Sequence, residues 1–115
     1  MAATQKHVAL LERLIAKTAA GELPWKESAN EGEYVVSFPN FSVGISFPVA
    51  DVVLKIVNEQ GQIIDQVDDP ELGRAGMINA FDQMKDLYES ARRSALGADR
   101  ALDVILGELS RPKQK

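Results

Sequence analysis

The sequence predicts an α+β fold in two layers: an antiparallel four- or five-stranded meander sheet packed by an N-terminal helix and a long C-terminal helix, with a short last helix behind them. Three observations carry this. The apolar spacing runs at 3.6 residues near the N-terminus, switches to 2 through the middle third and returns to 3.6 after Pro70. The alternating runs are joined by loops of a few residues, which leaves no room for the crossover that parallel strands need. Glycine, proline, asparagine and aspartate stand at the ends of the runs, where turns and caps use them.

Residues 4–20 read as the first helix. Val8, Leu11, Leu14, Ile15 and Thr18 share one face, with Lys6, Glu12, Arg13 and Lys17 elsewhere on the wheel. Thr4 is placed to cap the first turn, and Gly21 to end the helix in the left-handed conformation ahead of Pro24. Leu23 and Trp25 then return apolar surface to the body. In the middle third, Tyr34, Val36 and Phe38 form one alternating run. Phe41, Val43, Ile45 and Phe47 form the next, and Val52, Leu54 and Ile56 a third. Pro39-Asn40 makes a tight turn between the first two. Asn58-Glu59-Gln60-Gly61 leads from the third into residues 62–67, and Ser28-Ala29-Asn30-Glu31-Gly32 turns a short strand around residues 25–27 into the Tyr34 run.

Asp69-Pro70-Glu71 signals a helix start: an N-cap aspartate, a proline at the first helical position and acid near the positive end of the dipole. Gly73 and Gly76 weaken that turn, so the continuous helix is expected to begin near Ala75. Its buried stripe would hold Met77, Phe81, Met84, Tyr88, Ala91 and Ala95, joined by Ile78 and Leu87. After Gly97, Asp99 is placed to cap a short helix carrying Leu102, Ile105, Leu106 and Leu109. The expected core joins Phe38, Phe41, Val43, Ile45, Phe47, Leu54 and Ile56 to Leu11, Ile15, Phe81, Met84 and Tyr88. A single domain spans residues 1–110, and the short basic tail 111–115 is expected to be disordered.

Composition narrows the function. The 115 residues include no cysteine and one histidine, and the net charge is −4. Zero cysteines exclude a disulfide scaffold, a thiolate metal site and a cysteine nucleophile. An acidic balance argues against nucleic-acid and anionic-membrane partners. No apolar run reaches the roughly 20 residues of a membrane span, and the N-terminal residues have no signal-peptide layout, so a cytoplasmic location is expected. His7 reads as a surface histidine on an amphipathic helix, and no Gly-x-Ser-x-Gly elbow accompanies it. The run Asp65, Asp68, Asp69 and Glu71 lacks calcium-loop spacing. Gly73-Arg74-Ala75-Gly76 lacks the Gly-Lys-Ser/Thr ending of a phosphate loop. The expectation is therefore a chain with no cofactor, no metal and no catalytic residue.

The charge is unevenly placed. Residues 1–24 carry +1, residues 25–70 carry −6 and residues 71–115 carry +1. The sheet segment thus offers a local acidic surface that could steer a basic partner. Its outward face would show Ser42, Gly44 and Ser46 beside Val53 and Val57, with a central glycine that lets another backbone approach. Ser42, Gly44, Ser46, Val53, Val57, Glu59, Asp65 and Asp68 are the candidate partner-binding residues.

The stretch Thr18-Ala19-Ala20-Gly21-Glu22-Leu23-Pro24-Trp25 after a leucine-rich helix, the meander closing at the Asn58–Gly61 hairpin, and Leu87-Tyr88-Glu89-Ser90-Ala91-Arg92-Arg93 resemble small uncharacterised bacterial α+β proteins. The resemblance implies a fold and a bacterial origin, and brings no activity, cofactor or catalytic residue. The chain's size and acidity are also similar to those of immunity proteins and antitoxins, which occlude a site on a protein partner. The expected function is a non-enzymatic protein-interaction module that binds a protein partner or a second copy, as a homodimer, through the acidic sheet region or the outer sheet face. The alternative is a small-ligand-binding or enzymatic domain with a pocket between sheet and helices near Trp25, Tyr34 and Tyr88.

Overall fold

The computed structural model describes residues 3–112. The order is α1 (Gln5–Ala19), β1 (Lys26–Glu27), β2 (Glu33–Phe38), β3 (Phe41–Ser46), β4 (Val53–Asn58), β5 (Ile63–Asp68), α2 (Asp69–Arg74), α3 (Ala80–Leu96) and α4 (Ala98–Ser110). The five strands form one sheet in sequence order, each pair antiparallel. The α+β meander is as the alternating pattern requires.

The register sorts the side chains. Tyr34, Ile45, Leu54 and Val67 stand in one cross-strand row, and Val36, Val43, Ile56 and Asp65 in the next. Side chains two residues apart share a face, so these rows form the inner side. α3 runs against β1, β2 and β3, and α1 lies beside α3. Leu11, Ile45, Leu54, Leu72, Met84 and Leu87 are all but closed to solvent at the centre of this sandwich. Trp25, buried after the first helix, donates its indole N–H to Thr18 Oγ1 at 3.0 Å. Gly21 takes φ +73° and ends α1, with the Glu22 amide returning to the Lys17 carbonyl.

Several expectations are corrected. The cap of α2 is Asp68, one residue earlier than expected: its Oδ1 accepts from the Glu71 amide at 2.9 Å while Glu71 Oε1 accepts from the Asp68 amide. Asp69 instead turns inward and accepts the Val52 amide at 2.7 Å. The long helix begins at Ala80, because Gly76 (φ +102°) and Asn79 (φ +54°) interrupt the chain after α2. Ile78 therefore falls outside it and is exposed, and Phe81 is more than one-third exposed, though its ring still meets Phe47 edge-on at 5.8 Å. Phe38 and Phe41 face inward by parity but sit at the uncovered end of the sheet, 40% and 46% exposed. α4 starts from Gly97, not from a capping Asp99, and buries no residue. Of the tail expected to be disordered, residues 113–115 lie outside the described residues.

This placement separates the core from its rim. Ile45→Ala removes a fully buried side chain and is expected to cost about 2–5 kcal/mol, whereas Phe41→Ala is expected to cost about 1 kcal/mol or less. Urea unfolding of the two variants measures the difference; equal losses would contradict the assignment of Phe41 to the rim.

Candidate functional site

The exposed apolar surface concentrates on α4. Leu102, Ile105, Leu106 and Leu109 recur at three- and four-residue spacing, with Ala98 and Ala101 on the same side. A stripe of this kind normally faces a core. Here none of the thirteen residues of α4 is buried, all but Ala98 are exposed, and Ile105 and Leu109 are 54% and 76% exposed. Gly97, at φ +69°, is both the end of α3 and the start of α4, so the chain changes direction there and carries α4 away from the sheet. The described chain is accordingly long, 64 × 33 × 26 Å, with a radius of gyration of 16.7 Å, against about 13 Å for a compact domain of 100 residues. At the root of α4, a surface cleft of about 430 Å³ lies between the ends of α1 and α3, and the Arg93–Asp99 ion pair (2.9 Å) stands among its walls.

The outer sheet face brings together five of the eight sequence-assigned residues. Ser42 pairs with Val57, Gly44 with Lys55 and Ser46 with Val53. The structure fills the space over Gly44. Lys55 stretches across it to Glu33, Nζ to Oε2 2.6 Å, and a Cβ at residue 44 would lie 3.3 Å from Lys55 Cε and 3.5 Å from Glu33 Cδ. Gly44 therefore accommodates an ion pair within the chain and leaves no opening for another backbone. Glu33 also accepts from Ser28 Oγ at 2.6 Å and Asn30 Nδ2 at 3.1 Å. Burial of Glu33 opposes its ionisation, but Lys55, Ser28 and Asn30 together outweigh that and hold its carboxyl below the ordinary value of 4.5.

The other three assigned residues are dispersed. Asp68 lies beside Val53 but serves as the α2 cap. Glu59 is exposed at the β4–β5 turn, near Phe38 and Phe41. Asp65 points to the inner side, where His7 Nε2 donates to its Oδ2 at 2.7 Å. The imidazole Nδ1 accepts the Thr4 amide at 2.9 Å. His7 is thus a half-buried clasp between α1 and β5, not a free surface histidine, and both its nitrogens are occupied. Its hydrogen bond holds the Asp65 carboxyl below the ordinary 3.8. The spacing Thr4-x-x-His7 matches a capping box with histidine in the usual glutamate position, the one sequence signal for this role.

No family model, curated protein or solved structure matches this chain. Its chemistry is read from its own geometry.

The run Asp65, Asp68, Asp69 and Glu71 is divided among a histidine clasp, a helix cap and a buried amide contact, and no group of three or more potential ligands converges among the described residues. Between sheet and helix Trp25 and Tyr34 are buried and Tyr88 is half-buried. Tyr34 and Tyr88 meet at 5.6 Å, Phe47 meets Tyr88 edge-on at 6.1 Å, and the Tyr88 hydroxyl donates to the Gly32 carbonyl at 3.0 Å. Among the described residues no helix is long and apolar enough to cross a membrane.

Glu33 supplies a pH-dependent part of the stability. Its folded-state pKa lies below the unfolded 4.5, so its contribution is complete above that value and is lost as pH falls through the folded one. Glu33→Gln is expected to lower stability at pH 7 by about 1–3 kcal/mol, since Lys55 loses its charged partner in a half-buried place. Denaturant melts from pH 7 to 2 should also show a shallower acid decline in the variant than in the parent; parallel declines would remove Glu33 from this role.

Proposed function

We propose that the chain is a non-enzymatic protein-interaction module whose contact element is α4. The observation that carries this reading is a complete amphipathic helix with no buried residue, presenting four large aliphatic side chains along one stripe. Exposed apolar groups at this density are a free-energy cost to an isolated molecule, and they mark surfaces that a partner covers. A helical stripe read at i, i+3, i+4 and i+7 is the arrangement by which one helix lays itself against another or into an apolar groove.

The sheet surface supports the reading less strongly than its composition suggests. Much of its charge is spent inside the chain: Glu33 on Lys55, Asp65 on His7, Asp68 and Asp69 on backbone amides. Glu27, Glu31, Asp51 and Glu59 remain exposed at strand ends and loops, where they steer an approaching partner rather than bury against it.

A photo-crosslinking residue in place of Leu106, introduced in the native host, is expected to give a covalent adduct, while the same residue in place of Arg100 on the opposite side of α4 gives none. Absence of any adduct at both positions would remove α4 as the contact element.

A further inference from the structure

We infer that the partner of α4 is α4 of a second copy of this chain, and that the two helices pair through the seam Ala98, Leu102, Ile105 and Leu109. The inference rests on the interaction reading and names its occupant. Three observations select a like helix. First, these four positions are spaced 4, 3 and 4, the heptad a/d pattern in which one helix meets another of the same spacing; Ala101 and Leu106 widen the seam on either side. Second, the charges beside it are already neutralised. Asp99 is held by Arg93 at 2.9 Å and Glu108 by Arg111 at 3.2 Å, so two identical faces meet without unpaired acid on either side. The charge distribution works the same way at larger scale: residues 25–70 carry −6 and repel their own copy, whereas the segment 71–115 is near neutral.

Third, the area suits a dimer of modest strength. The four aliphatic side chains of the stripe are each half or more exposed. With about 100 Å² apiece and the flanking alanines, two copies would bury on the order of 1,000 Å², the lower bound for a specific interface. The pairing is isologous, since the same patch serves both copies and the assembly closes at two. The projection of α4 beyond the body leaves the sheet and its core outside the contact.

Sedimentation equilibrium of the full chain from low micromolar to several hundred micromolar tests this. A reversible species of twice the 12.6 kDa chain mass is expected. Ile105→Asp, which changes no buried contact, is expected to weaken it about 100-fold or more by placing a charge in the seam. Val104→Asp sits on the same helix, equally exposed but off the seam, and is expected to leave the dimer intact. A strict monomer at all concentrations overturns the inference, as does a dimer that survives Ile105→Asp or is lost equally with Val104→Asp. A monomer whose residue-106 adduct contains a different protein overturns the self-pairing and leaves the interaction reading standing, so the two failures are distinguishable.

Discussion

The inner face of the meander is the apolar surface that organises this chain, and its width decides which helices can bury themselves. Five strands at about 4.8 Å spacing span roughly 20 Å, and two helices side by side, each taking about 10 Å, cover that width. α1 and α3 occupy both places, placing Leu11, Met84 and Leu87 with Ile45 and Leu54 in one core. α2 joins the same cluster through Leu72, and the His7–Asp65 clasp ties the start of α1 to β5. α4 comes last along the chain, when that face is already taken. Its stripe has the same periodicity as that of α3 and no equivalent surface to bury it.

The opposite face of the sheet carries no such core, and the chain has arranged it accordingly. Val53 and Val57 lie there half-exposed in the rows on either side of half-exposed Val35, which would make a continuous apolar patch if the rest of the Val35 row were apolar as well. Beyond Val35 that row holds Gly44 and Lys55, with Glu33 reaching in from β2. The lysine stem lies over the glycine, and its ammonium ends on a carboxylate that also takes two neutral hydrogen bonds. Charge placed in this way blunts the face against stacking by another sheet. The register shift at Ile56/Val57 adds local twist next to the edge strand β5, where Ile63 and Ile64 are exposed, and makes that edge a poorer template for pairing.

Much of this was legible in the sequence, because alternation of period 2 and short polar connections admit few arrangements other than a meander. The helix bounds of α1 and the turn at Asn40 follow from local chemistry. What was not legible is depth. Parity places Phe38 and Phe41 on the inner face correctly, yet parity contains nothing about how far the covering helices reach, and both rings lie beyond them. Adjacent Asp68 and Asp69 are equally good caps by type; only the demand of the Val52 amide for an acceptor decides between them. Gly44 reads as an opening in one dimension and is an ion-pair seat in three. The outward residues Ser42, Ser46, Val53 and Val57 do converge, because their grouping depended only on register, whereas Asp65, chosen for its charge alone, stands on the inner side against His7. The apolar stripe of α4 was visible; its lack of a covering surface was not, since a stripe facing a core and a stripe facing solvent have the same sequence.

That ambiguity bears on how α4 is held. A thirteen-residue helix is marginal in water when nothing packs on it, and Gly107 inside α4 costs about 1 kcal/mol relative to alanine. What secures its N-terminal end is the direct continuation from α3 through Gly97 and the Arg93–Asp99 pair; its C-terminal end has the Glu108–Arg111 pair and a serine bonded back to the Leu106 carbonyl. These are exposed contacts of small individual worth. The pairing proposed above would supply what these contacts do not, burial of Leu102, Ile105 and Leu109, and would join the ordering of α4 to the covering of its stripe in one free-energy step. Gly97 sets that step apart from the rest of the chain: no residue of the core beneath α1 and α3, and none packed against it, lies on α4, so the pairing proposed here would draw on no contact that holds the sheet.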